Sequence, residues 1–156
     1  NSQIIKFKQN LKRLDLNLNI QKKDFLKFTT NQSVQSILLD APCSALGTFR
    51  RNPDVASKIN QSKLKRNQKI QIQMLDKAIN ILDENGIIVY IVCSFHPFET
   101  INVIDKITQK HKNIRTLNLQ SDKMIKRQNG YFINPLKFQE LGGSDIFFVS
   151  VLENIK

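Results

Sequence analysis

Acidic residues, cysteine and long apolar runs are all scarce in this sequence. Thirteen Asp and Glu stand against 24 Lys and Arg in 156 residues, a formal net charge of +11. This imbalance argues against an acidic or membrane-spanning protein and favours a polyanionic partner, with RNA or DNA before anionic lipid. The longest apolar run, residues 86–94, is far too short to cross a bilayer. The sequence therefore predicts no membrane span.

The two cysteines and the first residues bear on where the protein resides. Cys43 and Cys93 cannot form a disulfide framework, which predicts a reducing, cytoplasmic location. Residues 1–6 contain no apolar stretch of the kind that a secretory signal peptide needs. The chain does not begin with Met, and we therefore expect a fragment of a longer protein. Its length and its 40% hydrophobic content suit one domain with its own core.

Basic residues are concentrated in three stretches. Residues 1–30 hold seven against two acids, and residues 50–69 and 106–127 each hold seven against one. Solvated helix faces are one explanation of such clusters, but no acidic block balances them elsewhere in the chain. We therefore favour a nucleic-acid-binding surface whose affinity falls steeply with salt concentration.

The spacing of apolar residues predicts alternating helices and strands. Helices are predicted over 2–14, 61–83 and 97–110, and strands over 17–23, 37–40, 87–93, 113–119 and 145–152. The Asn85-Gly86 pair is expected to stop the second helix, and residues 120–144 are expected to be mostly loop. The apolar runs at 37–40 and 87–93 are typical of fully buried parallel strands. This alternation predicts an α/β fold with a mostly parallel sheet.

Two of these strands end in residues that can carry chemistry. Asp40 opens the segment Asp-Ala-Pro-Cys that ends at Cys43, and Cys93 ends the run at 87–93. Ligands in open α/β sheets bind beyond the carboxyl ends of the strands, so both cysteines are expected at the mouth of one crevice. Two buried structural thiols, with Asp40 as a turn former, are the alternative. The coincidence of two thiols, a carboxylate and a proline-fixed turn at equivalent positions favours a functional site.

The same segments resemble those of a known family. Residues 40–54, Asp-Ala-Pro-Cys-Ser-Ala-Leu-Gly-Thr-Phe-Arg-Arg-Asn-Pro-Asp, are similar to the DAPCSG-L-G…RR-PD signature of the Fmu/Sun-type RNA cytosine-5 methyltransferases. Residues 91–94 together with Glu99 resemble the TCS…EN segment of that family. Residues 10–16 resemble its NLKRLGL helix end, and residues 142–149 resemble its closing DGFF strand. The resemblance covers nearly the whole chain in the family's order.

The resemblance implies a Rossmann-like fold that transfers a methyl group from S-adenosylmethionine to C5 of a cytosine in RNA, with ribosomal RNA as the expected substrate. C5 of cytosine is a poor nucleophile, and a thiolate that adds to C6 makes C5 reactive towards a methyl donor. By resemblance, Cys93 is this nucleophile and Cys43 assists product release by elimination. The target base must leave its stack to reach these thiols.

The resemblance also assigns the remaining site residues. Asp24, at the end of the first predicted strand, matches the acid that contacts the adenine of the cofactor. Asp40 would hold the cytosine edge or lie by the methyl end of the cofactor. Arg50 and Arg51 would contact phosphate, as a basic pair on a loop can. No metal site is implied.

The sequence departs from the family pattern in several places. Ala45, Val92 and Ile146 stand where the family has Gly, Thr and Gly. The glycine-rich loop that would hold the cofactor is also missing, because none of the five glycines precedes the first predicted helix. His96 and His111 lack the spacing of metal ligands, and we expect solvent-exposed or capping roles for them.

These departures define what we expect of residues 1–156. They should form a partial methyltransferase catalytic domain that lacks the first two strands of the fold, with an unpaired apolar edge at residues 37–40. Alone, they should bind S-adenosylmethionine weakly or not at all and be inactive, whereas the full-length protein is expected to be a monomer. A non-catalytic RNA-binding module with the same fold is the alternative. A thiol redox protein is a weaker one, because the cysteines are not a C-x-x-C pair.

Overall fold

The computed structural model describes residues 2–155, and the predicted alternation of helices and strands is largely confirmed there. These residues form three α-helices: α1 (Ser2–Arg13), α2 (Gln61–Ile81) and α3 (Ile101–Lys110). They also form six strands: β1 (Val34–Asp40), β2 (Leu82–Val92), β3 (Ile114–Thr116), β4 (Met124–Arg127), β5 (Gly130–Ile133) and β6 (Phe148–Asn154). None of these helices combines the length and the apolar character needed to cross a membrane.

The strands form one mixed sheet in the order β1-β2-β6-β5-β4, with β3 also paired to β6. β1 and β2 run parallel, while the other four pairings are antiparallel. The α/β class is confirmed, but the prediction of a mostly parallel sheet is wrong. One reason is that β6 runs antiparallel to β2 and β3, and another is the hairpin β4–β5, which is formed by residues that we expected to be loop. It leads into β6, which pairs antiparallel with both β2 and β5 and needs no helical crossover.

The core lies between this sheet and the helices α2 and α3. Ile88 and Tyr90 of β2 have no exposed surface, and they belong to one apolar cluster with Leu75 of α2 and Ile104 of α3. Burying a side chain of this size contributes roughly 1.5–3 kcal/mol relative to leaving it in water. This packing fixes the end of β2, which Cys93 directly follows.

Strand β1 is the edge of the sheet, and its outer face is exposed. It pairs only with β2 among the described residues, and Leu38 is 71% exposed. Parallel pairing and the unpaired edge at residues 37–40 are therefore confirmed, whereas full burial of this strand is wrong. Full burial needs cover on both faces, and here only the face that carries Leu39 is covered.

Residues 17–23 do not form the predicted strand. Leu16 and Leu18 alternate with Asn as apolar residues of a half-buried strand would, but both side chains are more than half exposed. An alternating pattern produces a strand only where a neighbouring strand supplies hydrogen-bond partners. No strand within residues 2–155 pairs with this segment, and it remains irregular.

The Asn85-Gly86 pair acts inside β2 rather than as the stop signal of α2. The helix ends at Ile81 and β2 begins at Leu82, so the chain passes directly from helix into strand. Asn85 has a φ of 58°, in the left-handed region that Asn tolerates better than most residues. The register between β1 and β2 slips at the same point along the pair. The pair therefore marks an irregularity in the strand pairing.

Candidate active site

Two segments, residues 41–44 after β1 and residues 93–94 after β2, each contain one cysteine and are called the cysteine segments. They follow neighbouring parallel strands at the same edge of the sheet. Asp40 ends β1 opposite Ile91 of β2, and β2 ends at Val92. Cys43 and Cys93 follow these strand ends, and their sulfur atoms lie 3.3 Å apart. Both residues are partly exposed. The prediction that the two thiols lie together beyond the strand ends is confirmed, and neither thiol is fully buried. Their catalytic roles stay predictions.

The loop after Cys43 is held against the backbone of Cys93 by a close approach at Gly47. The Gly47 N–H donates to the Cys93 carbonyl at 2.9 Å, and the Ile146 N–H donates to the Gly47 carbonyl at 3.0 Å. A Cβ atom on Gly47 would lie 1.9 Å from the Ile146 carbonyl oxygen. Only glycine permits this contact, so three distant segments of the chain meet here.

Ala45 holds the same loop in a left-handed conformation, with φ of 62° and ψ of 21°. This conformation costs alanine roughly 1–2 kcal/mol and glycine almost nothing. We expect Ala45→Gly to raise the free energy of unfolding by up to about 1 kcal/mol, after subtraction of the greater freedom of glycine in the unfolded chain. Urea denaturation measures the change.

The matched control for this prediction is Ala56→Gly. Ala56 is right-handed, with φ of −63° and ψ of −41°, so the same substitution there should lower the free energy of unfolding. Equal effects at the two positions would contradict the explanation.

The contact between the two sulfur atoms sets their protonation. The pKa of Cys43 is raised, first because its thiol hydrogen-bonds to Cys93 and then because it is buried against the core. The pKa of Cys93 is lowered to about 7, first because Cys93 accepts that hydrogen bond. Burial and the negative charges of Asp40 and Asp145 act in the opposite direction. Cys93 is thus the thiol of the pair that ionises first, and the thiolate is the nucleophilic form.

A buried carboxylate, that of Glu99, connects the two cysteine segments. Its Oε1 accepts hydrogen bonds from the Ser44 N–H and the Asn67 side chain, both at 2.8 Å. Its Oε2 accepts hydrogen bonds from the hydroxyls of Ser44 and Ser94, at 2.5 and 2.6 Å. Sequence reasoning identified Glu99 only as a match to the family's EN pair and missed its three partners, two of which directly follow the cysteines.

Helix α2 supports both segments with further buried amides. Gln68 Nε2 donates to the Phe98 carbonyl at 2.9 Å, and Gln71 Nε2 donates to the Pro42 carbonyl at 2.8 Å. Both glutamines lie on the stripe of α2 that also carries buried Leu and Ala. Polar amides on an otherwise apolar stripe were the signal that could have identified them.

The two predicted cofactor residues lie in different surroundings. Asp40 is exposed at the end of β1, close enough to Cys93 for its charge to raise the pKa of that thiol. Asp24 is exposed at the start of a 3-10 helix (Phe25–Lys27), where its carboxylate accepts a hydrogen bond from the Leu26 N–H at 3.0 Å. Asp24 therefore caps a turn and does not end a strand. The cofactor contacts of both residues stay predictions.

Arg51 of the predicted RNA-binding pair is held by an ion pair. Its guanidinium bonds to both carboxylate oxygens of Asp145, with Nε 3.0 Å from each oxygen, and 59% of the Arg51 side chain remains exposed. This contact lowers the pKa of Asp145, whose charge acts in turn on Cys93. Arg50 is exposed beside Gly143. The phosphate contacts of both arginines stay predictions.

The histidines have structural roles. His96 Nδ1 accepts a hydrogen bond from the Phe98 N–H at 3.2 Å and so caps a 3-10 helix (Pro97–Glu99), as expected. His111 Nε2 lies 2.8 Å from a carboxylate oxygen of Asp76. Within residues 2–155, no three His, Cys, Asp or Glu side chains come together in a group that could hold a metal ion.

Comparison with known proteins decides the family. Residues 1–153 match the family described as 16S rRNA methyltransferase RsmB/F. The chain belongs to the RsmB/F family. The resemblance that residues 40–54 and 91–94 indicate is therefore confirmed.

Two curated relatives of the RsmB/F family show how much of the protein this chain represents. Ribosomal RNA small subunit methyltransferase B of Photorhabdus laumondii is 31% identical over 152 residues, which are 96% of this chain and 34% of that protein. The protein of the same name from Pseudomonas putida is 30% identical, over 97% of this chain and 35% of that protein. This chain thus spans about a third of the length of the relatives it matches.

Two crystal structures from Pyrococcus horikoshii share the fold. A methyltransferase homolog protein has a TM-score of 0.77 at 23% identity, over 98% of this chain and 50% of that one. NSun6, crystallised with SFG, has a TM-score of 0.81 at 22% identity, over 100% of this chain and 40% of that one. At this level of identity the similarity shows the fold alone. It confirms the Rossmann-like methyltransferase fold that the motifs imply.

Proposed function

We propose that this chain is part of the catalytic domain of an enzyme that methylates cytosine C5 in ribosomal RNA and uses S-adenosylmethionine. The observation that carries the proposal is the contact of Cys43 and Cys93, 3.3 Å apart, with the pKa of Cys93 lowered to about 7. Membership in a family described as 16S rRNA methyltransferases supports the substrate. NSun6, a protein of the same fold, was crystallised with SFG, an analogue of S-adenosylmethionine, which supports the cofactor.

In the proposed reaction, the Cys93 thiolate forms a bond from its sulfur to C6 of an unstacked cytosine, and C5 becomes nucleophilic as part of an enamine. S-adenosylmethionine would supply the methyl group that C5 takes and would leave as the thioether S-adenosylhomocysteine. Once Cys93 is a thioether, it no longer carries the charge that kept the proton on Cys43. Cys43 can then release its proton to solvent, and its thiolate takes the proton of C5. The electron pair of the C5–H bond re-forms the C5–C6 double bond as the C6–S bond breaks, and Cys93 leaves as a thiolate.

The carboxylates present suit S-adenosylmethionine as hydrogen-bond acceptors and as negative charges. The adenine amino group donates hydrogen bonds, and the sulfonium is positively charged, so both are complementary to carboxylates. Asp24 and Asp40 are exposed carboxylates. Asp24 would hold the adenine, and Asp40 would lie by the methyl end or hold the cytosine edge.

Arg50 and Arg51 are proposed to contact phosphate, and their substitutions should differ in one respect. Arg50→Ala should weaken RNA binding and lower the slope of log affinity against log salt by about 0.7, the contribution of one single-strand phosphate contact. Arg51→Ala should do the same and also raise the pKa of Cys93, because the charge of Asp145 is left uncompensated. Filter binding at several salt concentrations and alkylation of Cys93 measure the two effects. An unchanged salt slope in both variants would contradict the phosphate contacts.

We also propose a cytoplasmic location and a monomeric state for the full-length protein. Cys43 and Cys93 are free thiols in contact, which suits a reducing compartment. Sedimentation of the full-length protein tests the monomeric state.

Incubation of the full-length protein with small-subunit ribosomal RNA and methyl-labelled S-adenosylmethionine tests the proposed function. We expect label at C5 of cytosine, located by nuclease digestion and mass spectrometry. RNA binding without any transfer would favour the non-catalytic RNA-binding module. Label on another atom would contradict the cytosine chemistry.

A further inference from the structure

We propose that Glu99 is a positioning residue: its buried carboxylate holds the Cys43 and Cys93 segments in one arrangement and so keeps the two thiols in contact. Its consequence for catalysis rests on the proposed function. Its tests use thiol chemistry without RNA or methyl donor. A failure of this proposal is therefore distinguishable from a failure of the proposed function.

One carboxylate oxygen sets the spacing of the two segments. The hydroxyls of Ser44 and Ser94 both donate to Glu99 Oε2, and their oxygen atoms lie 3.3 Å apart. The sulfur atoms of Cys43 and Cys93, one residue earlier on each segment, are also 3.3 Å apart. The two segments therefore run side by side, and Glu99 joins them next to the thiols.

The rest of Glu99 anchors this pair to the fold. Oε1 accepts from the Ser44 N–H and from Asn67, which belongs to α2. The hydroxyl of Tyr90, a buried residue of β2, donates to the Glu99 carbonyl at 2.8 Å. Glu99 thus connects both cysteine segments to the helix and the strand that form the core.

The Glu99 carboxylate is bound by neutral hydrogen-bond donors rather than by a cation. The four groups that donate to the carboxylate are neutral, and Glu99 has no exposed surface. Burying a carboxylate is costly unless its lone pairs are hydrogen-bonded, and bonds to an ionised acceptor are about twice as strong as neutral ones. A carboxylate accepts all four bonds at once. An amide of the same shape does not, because its nitrogen only donates.

The variant Glu99→Gln keeps the shape and tests this role. We expect the segments to loosen, so that Cys93 loses the hydrogen bond from Cys43 and its pKa rises from about 7 towards 9.0. Alkylation of Cys93 by iodoacetamide at pH 7 should slow about fivefold if the pKa reaches about 8. A simple charge effect has the opposite sign, because removing a nearby negative charge lowers the pKa of a thiol.

The measurement is the rate of alkylation against pH, followed at each cysteine by mass spectrometry of its peptide. The same substitution is then made in a Cys43→Ala background, where the hydrogen-bond donor is already absent. Glu99→Gln should have no further effect on Cys93 there, because the two changes act through one contact. An equal rise in the pKa of Cys93 in both backgrounds would overturn the proposal. A fall or no change of this pKa in the wild-type background would also overturn it.

Two further variants separate positioning from damage to the fold. Ser94→Ala keeps the Glu99 charge, removes one bridging hydroxyl and should raise the pKa of Cys93 by a smaller amount. Asn154→Ala removes a buried amide of β6 that bonds to Asn113 and to the Asp83 carbonyl, outside both cysteine segments and the Glu99 network. It should lower the melting temperature and leave the pH profile unchanged. If Glu99→Gln does not fold, the comparison of Ser94→Ala with the control variant tests the proposal instead. Identical pH profiles of Cys93 alkylation in these two variants would overturn it.

Discussion

In the full-length protein, Cys93→Ala should lower the proposed methyl transfer by at least about a thousandfold, because the proposed covalent reaction loses its nucleophile. Cys93 is the thiol whose pKa is lowered to about 7 and which stays partly exposed at the strand end. Cys93→Ser keeps the shape of the side chain and should be almost as inactive, since a hydroxyl without an adjacent base is not ionised near neutral pH.

RNA that contains 5-fluorocytidine provides the direct measurement for Cys93. Fluorine at C5 cannot leave as a proton does, so the elimination is blocked and the adduct persists on a denaturing gel. Wild-type protein should form a slowly migrating band, and Cys93→Ala should form none while it still binds the RNA. A band of undiminished intensity in Cys93→Ala would contradict the role of this thiol.

Cys43→Ala should accumulate the covalent complex with ordinary cytosine RNA, because the group proposed to accept the C5 proton is missing. Formation of the complex should also become slower at neutral pH. Without the hydrogen bond from Cys43, the pKa of Cys93 rises towards 9.0, and less thiolate is present at pH 7. Accumulation and slow formation of the complex are separable, because only the slow formation disappears when the pH is raised above 9.

A time course on denaturing gels at neutral and alkaline pH measures both effects in Cys43→Ala. At alkaline pH the variant should form the complex as fast as the wild type and retain far more of it. The double variant Cys43→Ala with Cys93→Ala is the control, and it should form no complex. Less complex than wild type at alkaline pH would contradict the assignment of Cys43 to product release.

The contact between the thiols was predictable from the sequence. The segment from Asp40 to Cys43 and the residue Cys93 each mark the end of an apolar run, and neighbouring parallel strands end at the same edge of a sheet. Local patterns of this kind carry over into the fold because both strands are held by the core. The motif in residues 40–54 could be recognised in the sequence because it is a single continuous segment.

The contacts that tune the site were not predictable. The bonds of Glu99 to Asn67 and Ser44 join residues 32 and 55 positions apart, and the ion pair of Arg51 with Asp145 joins residues 94 positions apart. No periodicity connects such positions. They depend on how the segments pack.

The hairpin β4–β5 escaped prediction for another reason. Lys126 and Arg127 occupy β4 at the edge of the sheet, where charged side chains are tolerated and mask the strand pattern. The opposite error occurred at Leu16 and Leu18, where a strand-like pattern meets no partner strand within residues 2–155.

Because Gly47 takes part in two backbone hydrogen bonds, one to each neighbouring segment, we expect the site to open as one cooperative unit. The Gly47 amide is released only when the loop separates from Cys93, and the Ile146 amide only when the segment before β6 separates from that loop. Proteins exchange buried amide protons through such joint local openings. Deuterium uptake at Gly47 and Ile146 should therefore proceed at one shared opening free energy, with the two ends of the site exchanging in concert.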